Sequence, residues 1–172
     1  MRKIVVLSLL AGATLFGGLL DFRTLDQAQE AYAAGNYAEA AKLYETVENK
    51  NDDLHYNLGD AYYKEQKYDE ALKQYEQVQK PELRAKALHN MGNAYAKTQK
   101  IDEAIASYEE ALKQSDDEDT KYNLELLKKQ KKEQDKNILS QLLSTGANIL
   151  TGGVAGLFTE GINFGQGLLM GG

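Results

Sequence analysis

The sequence of 172 residues has no cysteine, no tryptophan and only one proline. Without cysteine the chain cannot form a disulfide, use a thiol nucleophile or carry a lipid on an N-terminal cysteine. The single proline, together with 27% charged residues, favours helices over a turn-rich β architecture. Basic residues are outnumbered, with 20 Lys and Arg against 26 Asp and Glu. The net charge of −6 disfavours nucleic acid as a partner, because phosphate binding requires clustered basic residues.

Tyrosine, phenylalanine and glycine are distributed unevenly along the chain. All 11 tyrosines lie between Tyr32 and Tyr122, whereas the four phenylalanines lie outside that stretch. Nine of the 15 glycines come after residue 136. The sequence therefore predicts a charged, tyrosine-rich body with two apolar ends, and its length suits one modest domain with appendages.

The N-terminal end has the charge order of an export signal. Residues 4–20 are uncharged, follow Arg2 and Lys3, and precede Asp21. We predict that the first 20 residues are a signal peptide or a membrane anchor; cleavage and retention both remain open. In either case the rest of the chain is expected on the far side of the membrane from the two basic residues. A buried helix of a cytosolic protein is disfavoured because the run has no polar face.

The body repeats itself with a period of about 33 residues. The segment Tyr56–Tyr62 (YNLGDAY) is echoed by His89–Tyr95 (HNMGNAY), and a third echo begins at Tyr122 (YNL). A small residue four positions before a tyrosine recurs at intervals of 31 and 33. These pairs are Ala40 with Tyr44, Ala71 with Tyr75, and Ala104 with Tyr108. The period and the pattern resemble the tetratricopeptide repeat, which implies an all-α solenoid of helix hairpins.

The repeated small residues have a physical use. Gly59 and Gly92 fall inside predicted helices, where each costs about 1 kcal/mol relative to alanine. Such glycines are tolerated best where a neighbouring helix must approach closely. The space between paired helices is expected to be filled by Tyr62, Tyr75, Tyr95 and Tyr108. Three hairpins are about the minimum for a stable stack, because each buries its apolar stripe against the next.

We predict three repeats over residues 21–115, at about 21–50, 52–81 and 82–115. Their helix pairs are expected at 21–34 with 37–48, 53–66 with 69–79, and 82–98 with 102–114. Asp52 and Asp102 are plausible N-caps, and Pro81 suits the first turn of a helix. The first repeat departs from the pattern, because Ala28 stands where glycine is expected.

The segment 116–136 is predicted to be a capping helix. It begins with four acidic residues at 116–119 and continues with lysines at 128, 129, 131 and 132. Acid at the start and base at the end match the dipole of one helix. Such a helix would cover the exposed end of the stack and keep its outer face polar.

A stack of hairpins offers a concave face lined by the first helix of each pair. Matching positions to the repeat family predicts a groove for a partner polypeptide lined by Tyr56, Asn57, Asp60, Tyr63, Lys64, Lys86, His89, Asn90, Asn93, Lys97, Tyr122 and Asn123. Asn57, Asn90 and Asn123 recur every 33 residues. These amides either pair with a ligand backbone or bond to the adjacent repeat. The Lys and Asn set that clamps a terminal carboxylate in chaperone-binding members is not reproduced.

No catalytic or metal centre is predicted. His55 and His89 are the only histidines, and no second ligand at metal-binding spacing accompanies them. We expect His55 to serve packing and His89 to line the groove. The sequence has no nucleophile elbow and no phosphate-binding glycine loop, so we expect neither enzyme activity nor a cofactor.

The C-terminal segment 137–172 is glycine-rich and carries Glu160 as its only charged side chain. Large apolar residues recur at steps of three, four and seven, as in an amphipathic helix. Membrane or self-association is predicted for Leu142, Leu143, Ile149, Leu150, Leu157, Phe158, Gly152 and Gly156. The many glycines leave a disordered or folded-back tail as the alternative.

A further resemblance concerns location. The export signal, the Gly-Asn-Tyr-Ala-Glu-Ala opening at 35–40 and the Tyr-Asn-Leu-Glu at 122–125 resemble bacterial aerotolerance-type (Bat) repeat proteins. That resemblance implies an inner-membrane-associated protein of the cell envelope that faces the periplasm, with von Willebrand-type and MoxR-associated membrane proteins as partners. The expected function is a protein-interaction scaffold; the alternative is a membrane-associating or self-assembling protein that acts through its C-terminal segment, with a homo-oligomer formed by the tail.

Overall fold

The structure, a computed structural model, describes residues 21–168, and for residues 146–168 it describes the backbone alone. Across this range the chain forms seven helices and no strand. The first, α1, is described over residues 21–33. The others are α2 (Tyr37–Thr46), α3 (Asp52–Lys64), α4 (Tyr68–Glu76), α5 (Pro81–Lys97), α6 (Ile101–Gln114) and α7 (Glu118–Leu168). The all-α prediction is confirmed, and α2, α3 and α4 end two to three residues before their predicted ends.

Contacts within the chain divide it into two units, residues 1–127 and residues 128–172. The described part of the first unit contains the three helix hairpins, α1 with α2, α3 with α4 and α5 with α6, and the first turns of α7. The second unit, as far as it is described, is a helical segment. The predicted boundary at residue 136 therefore falls inside α7, which continues through it without a break.

The turn inside each hairpin has the same backbone geometry. Gly35, Gln66 and Gln99 have positive φ values of 80°, 60° and 60°. In each turn the next residue donates its N–H to a carbonyl five residues back, as Lys67 does to Tyr62 at 2.9 Å. This left-handed closure ends the first helix and reverses the chain. Only the first hairpin has glycine at this position, so the other two turns place glutamine in a conformation that glycine adopts more easily.

The helix starts differ from the predicted caps. The N-cap of α3 is Asn51, whose side chain accepts the N–H of Leu54 at 2.9 Å. Asp52 is the first residue of that helix, and its carboxylate accepts the backbone N–H groups of Gln79 and Lys80. The prediction that Asp52 is the N-cap was therefore wrong. Its side chain instead binds the backbone of the linker between the second and third hairpins.

The prediction for Asp102 was also wrong. The N-cap position of α6 is Lys100, which provides no side-chain cap, and Asp102 lies in the first turn. An acidic residue there still interacts favourably with the helix dipole. Pro81 is the first residue of α5, as predicted, where its missing N–H leaves no intrahelical bond unmade.

The close approach of helices within the hairpins is confirmed at both glycines. A β-carbon on Gly59 would lie 2.6 Å from Cε1 of Tyr75, and one on Gly92 would lie 2.5 Å from Cε1 of Tyr108. Both tyrosines are buried, with 0% and 2% of their surface exposed. The two glycines therefore supply the space that the rings occupy, and this packing holds each first helix against its second helix.

Tyr62 and Tyr95 lie between successive parts of the core. Tyr62 packs against the buried cluster of the first hairpin and against that of the next. Tyr95 does the same one repeat later. In the first repeat Ala28 is fully buried among Ala40, Ala41 and Tyr44. The hairpins therefore share one continuous core, as a repeat protein requires.

The start of α7 covers the end of the stack. Leu124 and Leu127 are buried in one cluster with Ala104 and Tyr108 of α6. On the same helix Tyr122 and Leu126 are exposed. The first turns of α7 therefore pack like an additional first helix, which agrees with the capping role predicted for this segment.

The predicted export segment, residues 1–20, lies outside the described residues. Within the described part of the chain, no helix combines the length and the apolarity that crossing a bilayer requires.

Candidate functional site

The first helices of successive hairpins form one layer of the first unit. α3 contacts α5 directly, and in the described chain the second helices α2, α4 and α6 make no comparable contact with one another. The first helices are therefore closer together than the second helices, so they lie on the inner side of the stack. Polar side chains from α1, α3, α5 and the start of α7 line this inner face.

A hydrogen-bonded junction on the inner face is centred on Asp60. Its Oδ1 accepts the hydroxyl hydrogen of Tyr75 at 2.6 Å and an amide hydrogen from Asn90 Nδ2 at 2.9 Å. Asn90 Nδ2 also lies 3.2 Å from the hydroxyl oxygen of Tyr56. Asp60 therefore ties the second helix of its own hairpin and the first helix of the next hairpin to α3.

The same junction recurs one repeat later with a neutral centre. Asn93 Oδ1 accepts the hydroxyl hydrogen of Tyr108 at 2.6 Å and an amide hydrogen of Asn123 at 3.4 Å. Two of the three repeated asparagines, Asn90 and Asn123, thus bond to the adjacent repeat. Of the two alternatives for these asparagines, bonding to the adjacent repeat is the one that Asn90 and Asn123 adopt. Asn57 forms no such bond in the described chain and lines a pocket instead.

Burial governs the electrostatics around Asp60. Desolvation raises the pKa of this carboxyl above its ordinary value, and the hydrogen bonds from Tyr75 and Asn90 oppose the rise. Desolvation, reinforced by the Asp60 charge, raises the pKa of Tyr32 and of Tyr56 to about 12. It also raises the pKa of Tyr75, which bonds to the same carboxylate. The tyrosines around Asp60 therefore remain neutral hydrogen-bond donors at physiological pH.

Two pockets lie on this inner face. The first pocket has a volume of about 190 Å³ and is lined by Gln29, Tyr32, Tyr44, Asn57 and Asp60, where the first and second repeats meet. The second pocket has a volume of about 230 Å³ and is lined by Tyr56, Ala85, Lys86, His89, Asn90, Ala111, Ser115, Asp117, Asp119 and Thr120. The bonds from Asn90 to Tyr56 and Asp60 join the walls of the two pockets.

A chain of hydrogen bonds fixes the protonation of His89 in the second pocket. Thr120 Oγ1 donates to Asp117 Oδ2 at 2.5 Å and therefore accepts from His89 Nδ1, which lies 2.6 Å away. The neutral imidazole thus carries its proton on Nδ1. Burial lowers the pKa of His89, and the charges of Asp117 and Asp119 oppose this effect. His89 lines the second pocket, whereas His55 bonds to Gln74 on the paired helix at 3.0 Å.

The other predicted groove residues differ in exposure. Tyr63 packs edge-on against Tyr68, with ring centroids 5.4 Å apart. The cations Lys64, Lys86 and Lys97 are exposed, as is Tyr122. Of these side chains, Lys86 lines the second pocket. The inner face therefore combines hydrogen-bonded polar junctions with an exposed cationic side chain, that of Lys86.

The described residues include no group of three metal-binding side chains. Among the carboxylates that face the two pockets, Asp60 accepts structural hydrogen bonds at Oδ1 and Asp117 accepts them at Oδ2. The geometry of the inner face suits noncovalent binding by hydrogen bonds, aromatic rings and charge.

Only some of the residues predicted for association by the tail lie in the part whose side chains are described. Leu142 and Leu143 are 65% and 66% exposed in α7, and Ile138 and Leu139 are exposed beside them. For the other six residues predicted for association, the structure describes only the helical backbone, so these predictions lie outside what it describes. The six residues are Ile149, Leu150, Gly152, Gly156, Leu157 and Phe158.

The repeated hairpins, their shared core and the polar inner layer define an α-solenoid built from helix hairpins. Two sequence models described as the tetratricopeptide repeat match residues 31–84 and 85–117, which together span about half of the chain. The chain belongs to the tetratricopeptide-repeat proteins. No curated protein matches the sequence significantly.

Solved structures share the fold at low sequence identity. The Sgt2 TPR domain from Aspergillus fumigatus is 20% identical with a TM-score of 0.60, covering 67% of this chain and 82% of its own. The second TPR domain of human RPAP3, in complex with an HSP70 peptide, is 24% identical with a TM-score of 0.57, covering 65% and 98%. The Yersinia enterocolitica secretion chaperone SycD, in complex with a peptide of the translocator YopD, is 16% identical with a TM-score of 0.57, covering 63% and 92%.

Sequence reasoning missed part of the inner face. The first repeat contributes Gln29, Tyr32 and Tyr44 to the first pocket, although its weak match to the pattern concealed these positions. The capping helix contributes Asp117 and Thr120 to the second pocket. A signal for Tyr44 was present, because it is spaced 31 residues before Tyr75, but its spacing was interpreted only as packing.

Proposed function

We propose that this protein is a non-enzymatic scaffold that binds a segment of a partner polypeptide along its inner face. The observation that carries the proposal is the pair of pockets on this face, joined by the bonds from Asn90 to Tyr56 and Asp60. Aromatic rings, amides and charged groups lie next to each other there. Such a mixture favours a peptide, which presents apolar side chains and a polar backbone together.

Proteins of the same fold support this proposal. The RPAP3 domain and SycD were both determined with a bound peptide. Because they are only 24% and 16% identical to this chain, they share its fold alone, and the two pockets carry the proposal of binding. Asp60 in the first pocket, and His89 and Asn90 in the second, are held in place by hydrogen bonds to other side chains of this chain.

We further propose that the scaffold works in the bacterial cell envelope, associated with the inner membrane and facing the periplasm. The uncharged run behind Arg2 and Lys3 supports this location. The resemblance to aerotolerance-type (Bat) proteins supports von Willebrand-type and MoxR-associated membrane proteins as partners. Fusing a periplasm-active reporter after residue 172 tests the location, and loss of reporter activity on deletion of residues 1–20 is the expected result.

Site-specific photocrosslinking tests the binding face. One photoactivatable residue replaces Lys86 in the second pocket and another replaces Lys64, a predicted groove residue one turn after Asp60 on α3, whereas those at Lys42 and Lys73 lie exposed on the second helices α2 and α4. The full-length protein is irradiated in membranes, and crosslinked partners are identified by mass spectrometry. We expect defined partner adducts from the first two positions only.

Equal adducts from all four positions would refute a dedicated inner face. Adducts confined to Lys42 and Lys73 would move the binding surface to the second helices. Because all four positions are exposed lysines on helices, a difference between them reports location and not chemistry.

A second candidate function belongs to the exposed apolar residues of α7. Ile138, Leu139, Leu142 and Leu143 follow a lysine-rich stretch at 128–136. Basic residues beside an amphipathic helix favour anionic lipid surfaces, and exposed apolar residues also favour self-association. We therefore propose membrane association or self-assembly through this segment as the alternative function.

Paired substitutions separate the two forms of this alternative. Leu142→Ser with Leu143→Ser removes two exposed apolar side chains, and Leu126→Ser is the control on the same helix. Flotation with vesicles containing phosphatidylglycerol measures lipid binding, and sedimentation velocity measures assembly. If neither measurement distinguishes the double variant from wild type, the alternative is wrong.

A further inference from the structure

We infer that the first pocket receives a cationic side chain, lysine or arginine, from the partner polypeptide. This inference rests on the proposed function and specifies the chemistry of one residue that the partner must carry. Its basis is the hydrogen bonding, the charge and the aromatic lining of the pocket formed by Gln29, Tyr32, Tyr44, Asn57 and Asp60.

The hydrogen-bonded junction found at the two later repeat boundaries of the described chain is not formed at the first boundary, where the first pocket lies. At the later boundaries a tyrosine and an asparagine both bond to one central side chain, as Tyr75 and Asn90 do to Asp60. The residues at the matching positions of the first boundary, 31 to 33 earlier, are Gln29, Tyr44 and Asn57. Within the described chain these three form no hydrogen bond with one another, and all three line the pocket. Their polar groups are therefore available to a ligand.

The charge of the pocket is negative. Asp60 is its one charged lining residue, and both described hydrogen bonds to this carboxylate end on Oδ1. Within the described residues Oδ2 accepts no hydrogen bond. Lys64 lies one turn away on α3, and its charge lowers the pKa of Asp60, but no described ion pair within 4 Å joins the two side chains. An entering cation would therefore meet a half-buried carboxylate with a free acceptor oxygen.

The aromatic lining suits the rest of a long cationic side chain. Tyr32, which is half-buried, provides a ring over which an alkyl stem can pack and to which a cation is attracted. This protein already places lysines over tyrosine rings, at 5.9 Å for Lys67 over Tyr62 and for Lys100 over Tyr95. An anionic side chain would be repelled by Asp60, and a purely apolar one would cover Oδ2 of this carboxylate without giving it a hydrogen-bond donor.

The second pocket does not discriminate charge in this way. Its lining includes Lys86 together with Asp117 and Asp119, so groups of both signs are present. Selection for a cation is therefore a property of the first pocket, and Asp60 is the residue that determines it.

Titration of the full-length protein with model peptides tests the inference. The probes are acetylated, amidated heptapeptides of glycine and serine with a central lysine, arginine or norleucine, followed by NMR of the side-chain amides of Asn57 and Gln29. Norleucine matches lysine in shape and lacks the charge. We expect saturable shifts with lysine and arginine peptides and binding at least tenfold weaker with the norleucine peptide.

Two single substitutions remove one negative charge each. Asp60→Asn changes the pocket and copies the neutral Asn93 junction, which forms the same bonds to tyrosine and asparagine. Asp69→Asn is the matched control, because Asp69 is exposed on α4. We expect Asp60→Asn to weaken binding of the lysine peptide at least tenfold and Asp69→Asn to leave it within twofold of wild type.

A third variant adds the cation to the chain itself. Gln29 is exposed at the pocket, so Gln29→Lys preserves the fold and is expected to compete with the lysine peptide. Equal binding of the norleucine peptide, absence of shifts at Asn57, or equal weakening by both aspartate variants would overturn the inference. Photocrosslinking from Lys86 distinguishes failure of this inference from failure of the proposed scaffold function. If Asp60→Asn gives the same yield of partner adducts as wild type, the partner still binds, and only the cationic occupant of the first pocket is refuted.

Discussion

Gly59 and Tyr75 are packed so closely that a β-carbon at residue 59 would occupy space now filled by the tyrosine ring. The hydroxyl of Tyr75 is held by Asp60, so the ring is fixed at both ends and cannot move aside freely. The same relation links Gly92 with Tyr108, whose hydroxyl is held by Asn93. The repeat pattern is therefore a steric fit completed by a hydrogen bond.

Alanine at either glycine is expected to destabilise the protein. Overpacking against the buried tyrosine costs about 1–3 kcal/mol, and the better helix propensity of alanine returns about 1 kcal/mol at most. Urea denaturation of Gly59→Ala and Gly92→Ala measures the loss in free energy of unfolding. The matched control is Ala28→Gly in the first repeat, where the residue is already alanine and fully buried. It should also destabilise, because it removes a buried methyl group, whereas stabilisation by Gly59→Ala would contradict the packing.

The stability of the wild type relative to Asp60→Asn should depend on pH. Because burial raises the pKa of Asp60 above 3.8, the folded state binds this proton more tightly than the unfolded state. Its contribution to stability is present below pH 3.8 and is lost as pH rises through the folded pKa. Urea denaturation of both proteins between pH 3 and pH 7 measures the difference. The wild type should lose stability relative to the variant as pH rises; a constant difference would show that burial does not shift this group.

Glycine at residues 66 and 99 should stabilise the hairpin turns. Both glutamines have φ near 60°, a left-handed conformation that costs a residue with a β-carbon about 1 kcal/mol relative to glycine. Gln66→Gly and Gln99→Gly are therefore expected to raise the free energy of unfolding by about 1 kcal/mol each, measured by urea denaturation. Gly35→Ala is the converse variant and should lower it by a similar amount, since Gly35 has open space around it and only its φ opposes a side chain.

His89 should titrate below its ordinary pKa of 6.5, because burial disfavours the imidazolium. The unfolded state then binds a proton that the folded state resists, so stability is lost as pH falls below about 6.5. NMR detection of the His89 ring signals gives the pKa directly. Chemical denaturation at pH 7 and pH 5 should show a smaller loss for His89→Asn than for wild type. A measured pKa above 6.5 would mean that Asp117 and Asp119 outweigh burial.

The sequence was sufficient to predict the hairpins because their determinants are local and repeated. Gly59 and Gly92 indicated where helices approach, and Pro81 indicated where one begins. The N-caps could not be assigned in the same way. Asn51 and Asp52 are neighbours with similar capping ability, and only the position of the linker at Gln79 decides which of them caps.

The inner face was predicted less completely because its contacts join residues far apart in sequence. The pairing of Asn90 with Asp60 spans 30 residues and could not be distinguished from ligand binding by spacing alone. Asn57 and Asp60 of the first pocket were among the predicted groove residues, but the lining from the first repeat was missed for a related reason. Gln29 and Tyr32 lie in the repeat that matches the pattern least. The pocket exists because Gln29, Tyr44 and Asn57 do not bond to one another in the described chain, and an absent hydrogen bond leaves no sign in the sequence.

The alternation of Asp60 with Asn93 has a consequence for how a bound chain is aligned. Successive hairpins are near copies, so an extended ligand could slide by one hairpin and find almost the same surface. A charged junction beside a neutral one removes that degeneracy, since only one alignment brings a cation to Asp60, whereas the next pocket holds charges of both signs. The difference between these two side chains thereby gives an otherwise repetitive surface a unique frame and direction.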